Sequence, residues 1–177
     1  MSRNMHLPFA LLLLLITAGC TGIEKAPAEH TTRLIKPIVS DELVFEDEDI
    51  KLRFTVTRKH IDFTLWNKTQ GPISVIWDEV QFRDPEGETH WVLNTQEDPH
   101  RVPTKAAHAT TIHHHMDSTT VPPESSYNDY IRPFPSGFED VLIYPFKYAT
   151  GSRFKLILPL EIKEQIKIYT FGFEVMD

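Results

Sequence analysis

The chain has 177 residues, and its 18 Lys and Arg face 25 Asp and Glu, a net charge of −7. Polyphosphate and anionic head groups repel an acidic body, which argues against nucleic acid as a partner and against electrostatic docking on lipid. One cysteine excludes an internal disulfide, so the fold must rest on a hydrophobic core, and the length suits one domain.

Residues 1–6 carry one fixed positive charge, Arg3, and residues 7–16 are apolar apart from Pro8, with five consecutive leucines. Thr17-Ala18-Gly19-Cys20 follows. This is the charged, apolar and small-residue layout of an export signal, and the apolar part is too short to span a bilayer as a helix. Ala18, Gly19 and Cys20 resemble the lipobox of bacterial lipoproteins position by position, and Thr17 departs from the usual Leu, Val or Ile. The resemblance implies cleavage before Cys20 and attachment of diacylglycerol to its thiol. Two or three acyl chains then give stable membrane anchoring, which one chain does not. In Gram-negative hosts an aspartate after the cysteine retains such proteins in the inner membrane. Thr21 therefore implies the outer membrane, with the body facing the periplasm.

Removing residues 1–19 leaves 158 residues, with 17 basic side chains against 25 acidic ones. Residues 20–42 read as the lipidated N-terminus and a flexible tether, mixed and polar around Ala26-Pro27-Ala28. From residue 43 the pattern has period two. Ile50, Leu52, Phe54 and Val56 alternate with polar residues, as do Ile61, Phe63 and Leu65. Ile73, Val75 and Trp77 continue the alternation. Such strands bury one face and wet the other. Residues 67–72 form a turn, and Asp84-Pro85-Glu86-Gly87 forms another, joining residues 80–83 to 90–94 as a hairpin. Residues 95–140 are irregular and proline-rich, with short strands expected over 110–112 and 127–131. Phe154, Leu156, Leu158 and Leu160 form a further strand face, and Tyr169, Phe171, Phe173 and Val175 the last. No segment after the signal shows a helical apolar face, and no repeat is found.

Seven or more short strands at roughly 8–12-residue spacing predict a β-sandwich over residues 43–177. The turn at Asn67-Lys68-Thr69, the Pro72-Ile73 strand start with Trp77, Val121-Pro122-Pro123-Glu124-Ser125 and Tyr169-Thr170-Phe171-Gly172-Phe173 resemble immunoglobulin-like domains of bacterial envelope lipoproteins. The resemblance implies an all-β, immunoglobulin-like antiparallel sandwich and no activity, since fold does not fix function.

Among nine histidines, His100, His108, His113, His114 and His115 crowd the middle of the chain. On an extended segment His113 and His115 share a face and could hold a divalent transition metal, although the spacing matches no established metal motif. The acidic run Glu46-Asp47-Glu48-Asp49 lacks the pattern of a calcium loop and reads as a solvated turn. Asp78 and Glu79 are adjacent, face opposite ways on a strand, and mark a strand-end bend. Ser125 and Ser126 lack a nucleophile elbow, and Asn67 reads as a turn residue. The aromatics among residues 127–148 cover an open core end or form a partner surface. The expectation is a non-enzymatic, lipid-anchored binding or assembly module, recognising an envelope protein through loops or an unpaired sheet edge. A metal-binding lipoprotein using the His-rich segment 108–115 is the alternative. A hydrolase whose residues converge only in the fold comes third, and it requires a concave pocket with perturbed ionisable groups.

Overall fold

Alternating side chains build a two-faced strand only if each inner face meets another. In the computed structural model, which describes residues 31–57, 60–96, 116–134 and 149–177, these faces meet inside one curled antiparallel sheet. Eleven strands follow in chain order. They are β1 (Thr32–Lys36), β2 (Val44–Glu46), β3 (Ile50–Val56), β4 (Ile61–Asn67), β5 (Ile73–Val75) and β6 (Gln81–Arg83). Then come β7 (Thr89–Leu93), β8 (Thr119–Val121), β9 (Ser126–Phe134), β10 (Arg153–Ile162) and β11 (Gln165–Val175). Among the described residues there is no α-helix, and no helix is long and apolar enough to cross a membrane.

Hydrogen bonding runs unbroken in the order β1-β11-β10-β6-β7-β9-β4-β3-β2, while β5 lies beside the distal half of β10 and carries β8. The sheet is therefore nearly closed. An immunoglobulin sandwich has two separate sheets; here β6, β7 and β9 carry the ladder from one layer into the other. The all-β expectation holds, and the immunoglobulin-like one is not confirmed by this path.

The register places core residues opposite one another. Leu52 faces Leu65 and Phe54 faces Phe63 across β3 and β4, and Phe154 faces Phe173 and Leu156 faces Phe171 across β10 and β11. The two layers then close on each other through aromatic rings. Phe45 packs edge-on against Phe171 at 5.5 Å, Phe54 lies 4.8 Å from Phe171, and Phe54 meets Phe173 edge-on at 5.4 Å. Edge-on and offset pairs of this kind add about 0.5–1.5 kcal/mol each beyond burial.

Two elements differ from the sequence expectation. Residues 32–36, read as tether, form β1 and pair with β11, so the folded domain starts before residue 43. Leu34 alone is fully buried there, and a single inward side chain leaves no period to read. Arg33 of β1 and Arg153 of β10 flank Glu174 of β11 in register and close on its carboxylate at 2.7 and 2.8 Å. Arg33, then Arg153, hold that carboxyl below its ordinary range. The strand expected through Trp77 ends at Val75, and Trp77–Glu79 forms a 3-10 turn with Trp77 buried. The indole Nε1 donates to Thr119 Oγ1 at 2.9 Å, and Asp78 Oδ1 accepts the Met116 N–H at 2.6 Å, so the bend ties this segment to the approach to β8.

Candidate functional site

Cys20, His113 and His115 lie outside the described residues, as do His100, His108, His114 and the strand expected over 110–112. The acidic run is described, and its carboxylates face lysines. Asp47 Oδ1 accepts the N–H groups of Asp49 and Ile50, both at 2.9 Å. Its Oδ2 meets Lys167 Nζ at 3.1 Å and the Tyr169 hydroxyl at 2.9 Å. Lys163 reaches Asp49 at 3.1 Å, and Lys68 reaches Glu46 at 2.7 Å. Burial works to raise the Asp47 carboxyl, but the Ile50 N–H, Lys167 and Tyr169 outweigh it and hold it below its ordinary range. Burial, with Asp47 beside it, keeps the Tyr169 phenol protonated. The run is thus a clamp between the β2–β3 turn and the start of β11, with ammonium groups where a calcium ion would have to sit.

That clamp shapes an unusual edge. β1 covers β11 only over residues 172–175, the last pair being Lys36 with Gly172. Over residues 165–171, β11 pairs only with β10 among the described residues. Its inward side chains, Tyr169 and Phe171, are core, and its outward side chains include Ile166 and Ile168, 57% and 63% exposed. Lysine usually guards such an edge. Lys167 is drawn away from that duty, with its ammonium among Asp47, Glu48 and Asp49 and 5.1 Å from the Tyr169 ring centroid. Where β1 leaves the ladder, its loop exposes Ile38 and Val39. A strand edge seven residues long, with two isoleucines on one face, offers backbone donors and acceptors together with apolar side-chain contacts.

A shallow polar groove lies on β3, β4 and β9, lined by Arg53, Thr55, Asp62, Thr64, Asn128 and Asp129. The Thr64 hydroxyl donates to Asn128 Oδ1 at 2.6 Å. Asp129 is buried and accepts the Thr95 and Tyr130 N–H groups, and the Tyr127 hydroxyl donates to it. Burial and the Asp129 carboxylate raise the Tyr127 phenol far above its usual value, so it stays a donor and is no nucleophile. The hydrogen bonds join β9 to the end of β7 and do structural work.

At the far hairpin, the ligand atoms of Asp84, Glu88 and His90 lie within 4.8 Å of one another. Burial opposes the Asp84 charge, but His90 and the Glu88 N–H lower its carboxyl. Comparison of the chain with protein-family models, with curated proteins and with solved structures finds no match.

Sequence reasoning missed both features, for different reasons. Ile166 and Ile168 stand at even positions of a strand whose core residues, Tyr169, Phe171, Phe173 and Val175, are odd. That parity marks them as outward, and it was available before the fold. The Asp84, Glu88 and His90 convergence needs the hairpin register, which residue types alone do not supply.

Proposed function

We propose that this is a lipid-anchored cell-envelope protein with a non-enzymatic binding or assembly role. It captures an extended segment of a partner envelope protein, which adds as a strand along residues 165–171 of β11. The observation that carries this reading is the half of β11 that, among the described residues, pairs only with β10, with Ile166 and Ile168 exposed. Strand addition draws affinity from main-chain hydrogen bonds and specificity from alternate side chains, which matches the chemistry of this edge. The occupant would be an extended polypeptide with apolar residues at alternate positions facing the two isoleucines.

The direction of the strand supports the arrangement. The Met176 N–H donates to Thr31 O at 2.7 Å, so the tether side of the domain sits at the end of β11. At about 3.3 Å per residue, Gln165 lies roughly 30 Å further away. With Cys20 held in a membrane, this edge would be the half of β11 farther from the anchored end of the chain, a reading that suits a periplasmic partner if the host is Gram-negative.

The test is in-cell photo-crosslinking of the full-length protein, with the photoreactive residue at position 168 or, as control, at exposed Glu86, followed by mass spectrometry. One defined envelope protein is expected from position 168 alone. It should be lost in Ile166→Lys and in an unanchored Cys20→Ala version. Equal capture from both positions, or capture that survives Ile166→Lys, overturns the edge; capture unchanged by Cys20→Ala overturns the anchored role.

A further inference from the structure

We propose that the β6–β7 hairpin carries a divalent transition-metal site, of zinc type, built from Asp84, Glu88 and His90. It uses no residue of the histidine segment around His113 and His115, and it does not rest on the β11 edge.

The hairpin fixes two of the three ligands before any ion arrives. Asp84 closes β6, and its backbone N–H donates to Glu88 O at 3.0 Å while its carbonyl accepts the Gly87 N–H at 3.1 Å. Its Oδ1 accepts the Glu88 N–H at 2.8 Å, which leaves Oδ2 turned to His90 Nε2, also at 2.8 Å. Gly87 takes φ +90°, a conformation that glycine adopts without steric cost, and this brings Glu88 back over Asp84. His90 stands opposite Phe82 in the ladder, and the Phe82 ring lies 6.2 Å from the imidazole, setting its plane. The Asp84 and His90 side chains are only 11% and 15% exposed, so they lie at the bottom of the site, and Glu88 is exposed and forms its rim. The neighbouring cation, Arg83, is held on the Gly87 carbonyl at 3.0 Å.

One imidazole nitrogen and two carboxylate oxygens are a borderline donor set that suits zinc and its neighbours better than calcium or magnesium. Around a tetrahedral zinc with bonds of about 2.0–2.2 Å, ligand atoms sit roughly 3.4 Å apart. To reach that value the Glu88 side chain, the exposed member of the three, swings in from a spread of up to 4.8 Å, while Asp84 Oδ2 and His90 Nε2, now 2.8 Å apart, give up the proton between them to solvent and open by about 0.6 Å. Three protein ligands leave a fourth position open to water or to a partner's side chain.

The test uses the full-length protein in detergent, without a polyhistidine tag, stripped with chelator, and with His100, His108, His113, His114 and His115 changed to alanine to remove the competing segment. Zinc is titrated by calorimetry, and cobalt is used for its visible spectrum. One equivalent of zinc is expected. Glu88→Gln and His90→Gln are expected to weaken it by about tenfold or more, since loss of even an outer partner costs that much. Glu88→Gln alters an exposed side chain, so its metal-free melting temperature should match the parent within about 2 °C and keep the test valid if His90→Gln misfolds. No stoichiometric zinc, or equal affinity in parent and Glu88→Gln, overturns the site and leaves Asp84 and His90 as a hairpin clamp.

Discussion

Asn67 is 2% exposed, and all of its side-chain bonding capacity is used inside the protein. Its two Nδ2 hydrogens are shared among the carbonyls of Gly71, Val121 and Pro122 at 2.8, 3.0 and 3.0 Å, and its Oδ1 accepts from the Thr69 N–H and hydroxyl at 2.9 and 2.8 Å. One side chain therefore joins the end of β4, the turn into β5 and the end of β8. In Asn67→Ala the Gly71 and Pro122 carbonyls lie near enough to solvent to recruit water. The Val121 carbonyl and Thr69 do not, because their bonds to Asn67 are buried. Two stranded groups at about 1–3 kcal/mol each give an expected loss of roughly 2–6 kcal/mol. Urea unfolding followed by tryptophan fluorescence should show the midpoint falling with the slope unchanged. The melting temperature should fall by roughly 10 °C at the middle of that range. Gln70→Ala, which removes an exposed bond to Glu124, should cost less than about 0.5 kcal/mol. A loss below about 1 kcal/mol in Asn67→Ala would refute the reasoning, because it would mean that water reaches the orphaned groups.

Two further outcomes follow from the core and the clamp. Phe171 is fully buried between Phe45 and Phe54, so Phe171→Ala should destabilise by about 3–5 kcal/mol in the same urea assay, while Ile168→Lys, on the opposite face of β11, should stay within about 0.5 kcal/mol. Asp47 is held below its ordinary value of 3.8, so its contribution is fully present above that value and is lost as pH falls from about 4 through the folded value; melting temperature measured from pH 7 to pH 3 should drop on the acid side, and Asp47→Asn should flatten that drop while lowering stability at pH 7.

The long strands were legible because each carries its own evidence. β3, β4, β10 and β11 hold three or more inward apolar residues in strict alternation, enough to fix their faces from residue types alone. β1 was not legible, since its pairing depends on a strand about 140 residues away, as the Arg33–Glu174 bond shows. Trp77 kept the parity of a strand residue, but the contacts that bend the chain there, Asp78 to Met116 and the indole to Thr119, are tertiary. Asn67 was read as a turn residue, which it is; its buried reach to β8 follows from the packing of a segment 54 residues later. The acidic run read as a solvated turn, yet its partners Lys163, Lys167 and Tyr169 come from the far end of the chain. Composition places such charges near a strand start but does not say which lysines meet them.

The pairing of β1 with β11 has a temporal consequence. Synthesis from the N-terminus delivers β1 first and its ladder partner last, and closing a contact of such long range is slow. β1 must therefore wait without its ladder partner until nearly all of the domain has been made. A chain cut short by even residues 173–175 loses Phe173, Glu174 and Val175, three of the four positions that receive β1. Damage at one end of the domain would thus surface at the other, releasing Thr32–Lys36 as an open strand with a loose end.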